Sequence, residues 1–291
     1  MGLLVMPVQA LTLVASIPPL AMISHSLLQD TTGSTLVLVD GKQSPHGMSL
    51  RPSQRASLEK ADLVLWVGAD FESWLVKPLN SLTSNQLAMR DTEGIQLLPA
   101  TAMQQKMHTT SGHPASHHHG SWDMHLWLDP SIVRNYITHV RDELMILDPV
   151  NAQRYQHNAS RLIEDIRLAD IQAQQLLQPM QTEPLLVMHD AWRYYFRHYG
   201  LNLGAMVQKT PDQSFGASSV AQLEQKLRRG ELSCLLREPQ IEPKSMDWLR
   251  ALAPQLSEAM TDPLGTPNYL GGYATWLLDQ ARAISSCQKK R

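Results

Sequence analysis

Six of this chain's twelve histidines fall between His108 and His125, in the run HTTSGHPASHHHGSWDMHLWLDP. A neutral imidazole is the commonest protein ligand for zinc, so the density points to a divalent metal before any fold is considered. An affinity-tag remnant or a solvated low-complexity loop is also rich in histidine. Tags, however, sit at termini as consecutive histidines, whereas this run is internal, interrupted and followed at once by an apolar, strand-like segment. Four residues also stand out by their place relative to apolar runs: His46 follows the second in VDGKQSPHGMSLRPSQ, His125 lies in DMHLWLDP after the loop, His189 ends the fifth in LLVMHDAW and Asp262 ends the last in AMTDPLG. A lone histidine at a strand end is ordinarily a satisfied polar residue, and Asp262 before Pro263 can simply start a turn. Their joint placement carries more weight, because open α/β sheets bind ligands beyond the carboxyl ends of their strands. Two candidate ligands from each half of the chain would then face one cleft. Three imidazoles with a carboxylate or water suit the tetrahedral preference of zinc, while manganese favours more oxygen ligands. Copper(II) and nickel stay open, since affinity order does not separate them from zinc.

The elements that must position these residues are short apolar runs separated by helix-length amphipathic segments. The first half contains LTLVAS (11–16), STLVLVD (34–40), DLVLWVG (62–68) and IQLLP (95–99). The second half repeats the rhythm with PLLVMHD (184–190), LNLGAMV (201–207), LSCLLRE (232–238) and LSEAMTD (256–262). Apolar strands alternating with helices predict an α/β fold of two lobes, each a mostly parallel sheet of about four strands flanked by helices. Asp148 and Pro149 read as the N-cap and first residue of one long helix over 149–178. Tyr155, Ala159, Leu162, Ile166, Ala169 and Leu176 recur at close to 3.6 residues, and Pro179 stops the helix. Such a helix, about 45 Å long, would join the lobes as a stiff rod and limit closure to loop movements and small tilts. The expected organisation is a signal-peptide remnant (1–10), an N-terminal lobe (11–148), the linking helix (149–178) and a C-terminal lobe (179–291). Residues 101–122 have no periodicity and are expected to form a mobile His-rich loop.

Bulk composition excludes more than it proposes. A length of 291 residues, a net charge of −2 and 43% apolar residues describe an ordinary globular chain, with no basic stripe for nucleic acid. Residues 1–10, MGLLVMPVQA, resemble the end of a secretory signal cleaved after Ala10, although a buried N-terminal segment would look similar. No other stretch approaches the roughly 20 apolar residues needed to span a bilayer. Cys234 and Cys287 are outside any CxxC spacing. In an exported protein they suggest one disulfide closing a loop of about 50 residues, with two unrelated buried thiols as the alternative.

The ordered set DGKQSPHGMSLRPSQ, KADLVLWVGADFESWL, HHHGSWDMHLWLDP, LLVMHDAWRYYFRHYGL, LREPQ and TDPLG resembles the zinc-binding periplasmic receptors of ABC importers, the ZnuA type of the cluster A-I metal receptors. The likeness runs from about Leu11 to Cys287. It implies a two-lobed fold with a rigid linking helix, delivery of Zn2+ to a membrane permease and a His-rich loop beside the site. The family's zinc histidines map onto His46, His125 and His189, its last-strand aspartate onto Asp262, and a disulfide of some zinc receptors onto Cys234 and Cys287. Two features depart from the pattern. Pro45 stands where some relatives carry a glutamate, which leaves Asp262 or water as fourth ligand, with Asp262 the expected one. The loop holds no acidic residue between Lys106 and Trp122, so secondary metal binding by His108, His113, His117, His118 and His119 is expected to be weaker. His25, His139, His157 and His198 are expected on the surface, Trp66, Trp127 and Trp192 in the core, and Glu238 in a structural hydrogen bond.

The leading function is therefore a periplasmic zinc receptor, not an enzyme, acting as a monomer with an ABC permease and an accessory periplasmic zinc chaperone as partners. A zinc buffer or chaperone without a transporter would use the same site. A zinc hydrolase would need an open ligand position and a general base, and the chain has no HExxH or GxSxG motif.

Overall fold

The computed structural model describes residues 10–41, 45, 48–101, 122–210, 213–214, 217–265 and 271–288. His46, the five expected loop histidines, residues 1–9 of the expected signal remnant and nearly all of the expected mobile loop lie outside these. The chain forms two four-stranded parallel sheets. The first contains β1 (Thr12–Ala15), β2 (Ser34–Val37), β3 (Leu63–Trp66) and β4 (Asn85–Ala88), in the order β2-β1-β3-β4. Between them run α1 (Pro18–Leu27), α2 (Pro52–Glu59) and α3 (Ser73–Asn80). β5 (Leu98–Pro99) and β6 (Trp122–Asp123) form a separate antiparallel pair. There follow α4 (Pro130–Leu147), the long α5 (Ala152–Leu177), β7 (Pro184–Val187), α6 (Arg193–Tyr199) and β8 (Asn202–Met206). β9 (Gln208–Thr210) pairs with β10 (Gln213–Ser214), before α7 (Ala217–Arg228), β11 (Cys234–Arg237), α8 (Asp247–Leu252), β12 (Ser257–Met260) and α9 (Tyr273–Ser285). The second sheet has the order β12-β11-β7-β8.

Both sheets thus place their first strand inside, their second strand on one side and their third and fourth on the other. The central strands are buried on both faces, as parallel strands covered by helices must be. Leu13, Leu63, Leu65, Leu185, Val187 and Leu236 point into one core that runs through both lobes and the long helix. Val14, Val64 and Trp66 alternate onto an outer cluster of the first lobe, and Leu186 and Leu235 onto one of the second. Trp127 and Trp192 are also buried.

One expected strand is corrected. Residues 95–99 do not complete the first sheet; β4 does. Its sequence Asn-Gln-Leu-Ala is half polar and its residues are partly exposed at the sheet edge, so it lacks the apolar signature of its neighbours. The apolar run after Gly94 ends instead as the short strand β5.

The rod is one helix of 26 residues, flanked by single 3-10 turns at Pro149–Asn151 and Gln178–Met180. Its buried seam is Tyr155, Ala159, Leu162, Ile166, Ala169, Ala173 and Leu177; Leu176, expected inside, is exposed. Asp148 does not cap the backbone. Its Oδ2 accepts from Asn151 Nδ2 at 2.7 Å and from the Tyr155 hydroxyl at 2.8 Å. Among the described residues, no helix is long and apolar enough to cross a membrane.

His157 is exposed and His25 and His139 are half-buried, but His198 departs from its expected surface role. Its Nε2 lies 2.8 Å from Asp170 Oδ1 on α5 and its Nδ1 3.3 Å from Asp129 Oδ1, the residue that caps α4. Burial opposes a charge on the ring. The two carboxylates outweigh it and raise the pKa to about 9, while Asp129, despite its own burial, is lowered to about 2 by His198 and Ser131.

Two outcomes follow from this scaffold. The Cys234–Cys287 disulfide links the start of β11 to the end of α9 across 53 residues, so replacing both cysteines with alanine should cost about 2–4 kcal/mol in urea unfolding. Zinc binding should persist, because the candidate ligands lie at the opposite end of β11. A folded pKa for His198 above its ordinary 6.5 means stability that is fully present below pH 6.5 and lost as pH rises through about 9. Wild type should lose ~2–3 kcal/mol across that window relative to His198→Gln, measured by denaturant midpoints.

Candidate metal centre

β7 ends at Val187 and His189 lies two residues beyond it. The neighbouring parallel strand β11 ends at Arg237, so Glu238 emerges beside it. His189 Nδ1 lies 2.7 Å from Glu238 Oε2, and both residues are buried. The other Glu238 oxygen accepts from Trp192 Nε1 at 3.3 Å. Burial alone would lower the His189 pKa. The charge and hydrogen bond of Glu238, with Asp190 and Asp123 farther off, outweigh it and raise the ring above its ordinary 6.5.

The first lobe contributes His125. Its ring Nδ1 lies 2.8 Å from Asp123 Oδ1, which also accepts from the His125 backbone N–H at 3.1 Å. The apolar segment that follows is a 3-10 turn, Leu126–Leu128, rather than the strand its composition suggests. Asp129 and Pro130 start α4 at once, and a turn closed by Leu128 N–H on His125 C=O brings the chain into that helix. Phe71 meets the imidazole edge-on at 5.6 Å and Trp127 stands 5.3 Å away.

His125 and His189 face each other with ring centroids 5.9 Å apart at 67°. An Nε2 about 2.0–2.1 Å from zinc puts its ring centroid roughly 3.2 Å from the ion, so two rings sharing one ion have centroids roughly 5–6 Å apart. In each ring Nδ1 is directed at a buried carboxylate. A carboxylate on Nδ1 fixes the tautomer and orientation of an imidazole, as it does behind metal-ligating histidines.

The rings border a cavity of about 20 Å³, room for one ion or water and little else. Among the described residues, Glu238 and Gln240 add to its polar lining, and Phe71, Trp127, Pro45, Pro263 and Leu264 form its apolar wall. Phe71 is carried on the turn after β3. Gly68, at φ +141°, makes that turn, and a Cβ there would meet Arg90 Cδ at 2.6 Å. Buried Glu72 closes the turn by accepting from Val67 N, Gly68 N and the Ser16 hydroxyl. Burial wins over those bonds and lifts its pKa to about 7. Pro45, next to His46, is anchored through its carbonyl by Trp74 Nε1 at 2.9 Å.

Asp262 follows β12. Its backbone is held by α9, through Gln280 Oε1 at 2.8 Å and Trp276 Nε1 at 2.9 Å. Its Oδ1 accepts from Leu264 N and Gln240 Nε2, each at 3.0 Å. The structure therefore brings two expected ligands into contact and sets Asp262 against a cavity-lining residue, while His46 lies outside the described residues. Among the described residues, no group of three or more His, Cys, Asp or Glu closes a metal site. Sequence reasoning missed Asp123, whose signal is its position two residues before His125, and missed Gln240 and Phe71, which carry no metal-ligand chemistry.

A family model described as "ZnuA: Zinc-uptake complex component A periplasmic" matches residues 13–287. The high-affinity zinc uptake system protein ZnuA of Yersinia pestis is 29% identical over 290 residues, covering 95% of this chain and 91% of the relative. Its counterpart in Brucella suis biovar 1 is 27% identical over 316 residues, covering 95% and 91%. Among solved structures, a crystal structure of ZnuA superposes with a TM-score of 0.80 at 24% identity, covering 97% of this chain and 100% of the other. The periplasmic zinc binding protein TroA of Treponema pallidum gives 0.77 at 18% identity, covering 96% and 99%. These structures share the fold, and the family match over nearly the whole described chain shows that the protein belongs to the ZnuA family of periplasmic zinc-uptake components.

Proposed function

We propose that this chain is the high-affinity zinc receptor of an ABC importer. It captures Zn2+ in the groove between its lobes, with His46, His125 and His189 as nitrogen ligands and Asp262 as the oxygen ligand, and delivers it in the periplasm to a membrane permease. The observation that carries this reading is the pair of facing imidazoles, each with Nδ1 on its own buried carboxylate. The cavity they border has the volume of one ion, which supports capture rather than turnover of an ester or peptide. The zinc-uptake names of the relatives agree with it. His108, His113, His117, His118 and His119 serve as a weaker collecting site that feeds the centre. The receptor acts as a monomer, and an accessory zinc chaperone is a further partner of the same pathway.

Calorimetric zinc titration tests the centre. His125→Ala and His189→Ala should each weaken binding by more than the roughly 10–100-fold expected for losing only the carboxylate behind a ligand. Wild-type binding should weaken as pH falls, beginning above pH 6.5, because His189 holds its proton more tightly than a free imidazole. In Glu238→Gln the charge that raises His189 is gone, so the onset should move to lower pH while affinity at pH 8 falls about 10–100-fold. Equal wild-type affinity at pH 5 and pH 7.5 would reject histidine ligation.

Deletion of residues 108–119 should lower zinc stoichiometry or loading rate and leave one tight site. Disappearance of the tight site would show that the loop, not the cleft, holds the ion.

A further inference from the structure

Gln240 stands three residues beyond β11, and the ligand set above gives it no part. Its Nε2 donates to Gly41 C=O at 2.9 Å and to Asp262 Oδ1 at 3.0 Å. Both partners are acceptors only, so the amide nitrogen must face them and the orientation of the group is determined. Gly41 belongs to the first lobe, in the segment that runs from β2 towards Pro45 and His46. Asp262 belongs to the second. One amide thus bridges the two lobes beside the cavity it also lines. Its Oε1 is buried and has no hydrogen-bond donor among the described residues. Burying an acceptor in this way is unfavourable, and a Leu or Met side chain would fill the space without that cost. The two donor bonds are what the glutamine adds.

The effect on Asp262 is specific. Two donors on one oxygen, Leu264 N and Gln240 Nε2, fix the rotation of the carboxylate and occupy Oδ1. A carboxylate held so can offer a cation one oxygen but not a chelating pair. One-oxygen ligation suits the four-coordinate preference of zinc, whereas manganese favours more oxygen ligands and a higher coordination number.

We propose that Gln240 is a positioning and specificity-determining residue: it holds Asp262 as a one-oxygen ligand while tying it to the first lobe at Gly41, and so favours zinc over manganese. The inference rests on the reading of the centre given under Proposed function. It is tested by titrating Zn2+ and Mn2+, and by recording the visible spectrum of the Co2+-loaded protein. The set of proteins is wild type, Gln240→Met, Gln240→Leu, Asp262→Asn, Gln240→Met combined with Asp262→Asn, and His189→Ala. Gln240→Met and Gln240→Leu should weaken zinc about tenfold and weaken manganese less, so that the zinc-to-manganese ratio narrows. Their Co2+ absorption should lose intensity, as expected when coordination rises above four. The double variant should bind zinc no more weakly than Asp262→Asn alone, because Gln240 acts through that carboxylate. Apo melting temperatures report folding separately, and a purely structural role would move them without moving the Co2+ spectrum. Wild-type zinc affinity and Co2+ spectrum in both shape-retaining variants, additive losses in the double variant, or wild-type zinc binding by Asp262→Asn would each overturn the proposal. Tight zinc binding by His189→Ala would instead overturn the reading of the centre. Loss there beside unaffected Gln240 variants would overturn only the role of Gln240.

Discussion

The imidazole with its Nδ1 on a buried carboxylate, built once in each lobe, is the interaction on which the centre depends. A buried carboxylate is costly unless donors surround it. Asp123 collects the backbone N–H and ring of His125, and Glu238 collects the rings of His189 and Trp192. Asp190 and Asp262 add two more buried carboxylates nearby, and Arg193, 3.6 Å from Asp123, is a partly exposed cation. The cavity is thus bordered by several buried carboxylates with two imidazoles at its centre. Without an ion, protons answer that field, as the raised pKa values of His189 and Asp190 record; burial is the largest influence on Asp190, and Asp123 adds to it. A divalent cation would reverse both tendencies, because it becomes the largest local charge.

The scaffold turns two unrelated sequences into mirror contributors. Each lobe has the same strand order, so each has a switch point where its first and third strands part, and ligands bind at such points. In the second lobe these strands end at His189 and Glu238. In the first they end at Ser16 and the turn of Phe71, closed by the Ser16–Glu72 and Glu72–Gly68 bonds. The first lobe therefore supplies an apolar wall at its switch point and brings His125 from the entry to α4. Desolvation by Phe71 and Trp127 strengthens the electrostatics at the rings they touch.

Most of the fold was legible because it is written in local pattern. Seven of the eight expected strands contain strands of the two four-stranded sheets, since the strands of a covered parallel sheet are mostly apolar runs. The rod was legible from its periodic seam. What escaped was set by tertiary context. β4 is a polar edge strand with no alternation to detect. HLWLDP is apolar because it is buried, not because it is extended, and Asp129 with Pro130 decides its geometry. His198 sits on a helix with charged neighbours and reads as surface, but α4 and α5 bring Asp129 and Asp170 to it from far along the chain. At the centre, the place of His189 just beyond a strand was readable. Asp123, Glu238 and Gln240 act through hydrogen bonds to other side chains, and the partners of Glu238 and Gln240 are distant in sequence.

The same distribution of contacts decides how the cavity can open. The seam of α5 buries Tyr155, Leu162, Ile166, Leu177 and three alanines, and each large apolar side chain is worth ~1.5–3 kcal/mol of burial. Unpacking the rod to swing the lobes apart would forfeit several of these at once. Besides the apolar core they share, the lobes are joined by hydrogen bonds. Trp127 Nε1 donates to Pro263 C=O at 2.7 Å, the Tyr194 hydroxyl to Asp123 C=O at 2.9 Å, the Thr101 hydroxyl to Asp190 at 2.8 Å, and Gln240 to Gly41. Each contributes a net ~0.5–1.5 kcal/mol, because water replaces the partner when it breaks. Exchanging these bonds for water while the seam stays packed costs less than unpacking the seam. Opening of that kind would work at the segments that carry Gly41, Thr101, Asp123 and Pro263, which flank the proposed ligands, while the rod keeps its packing.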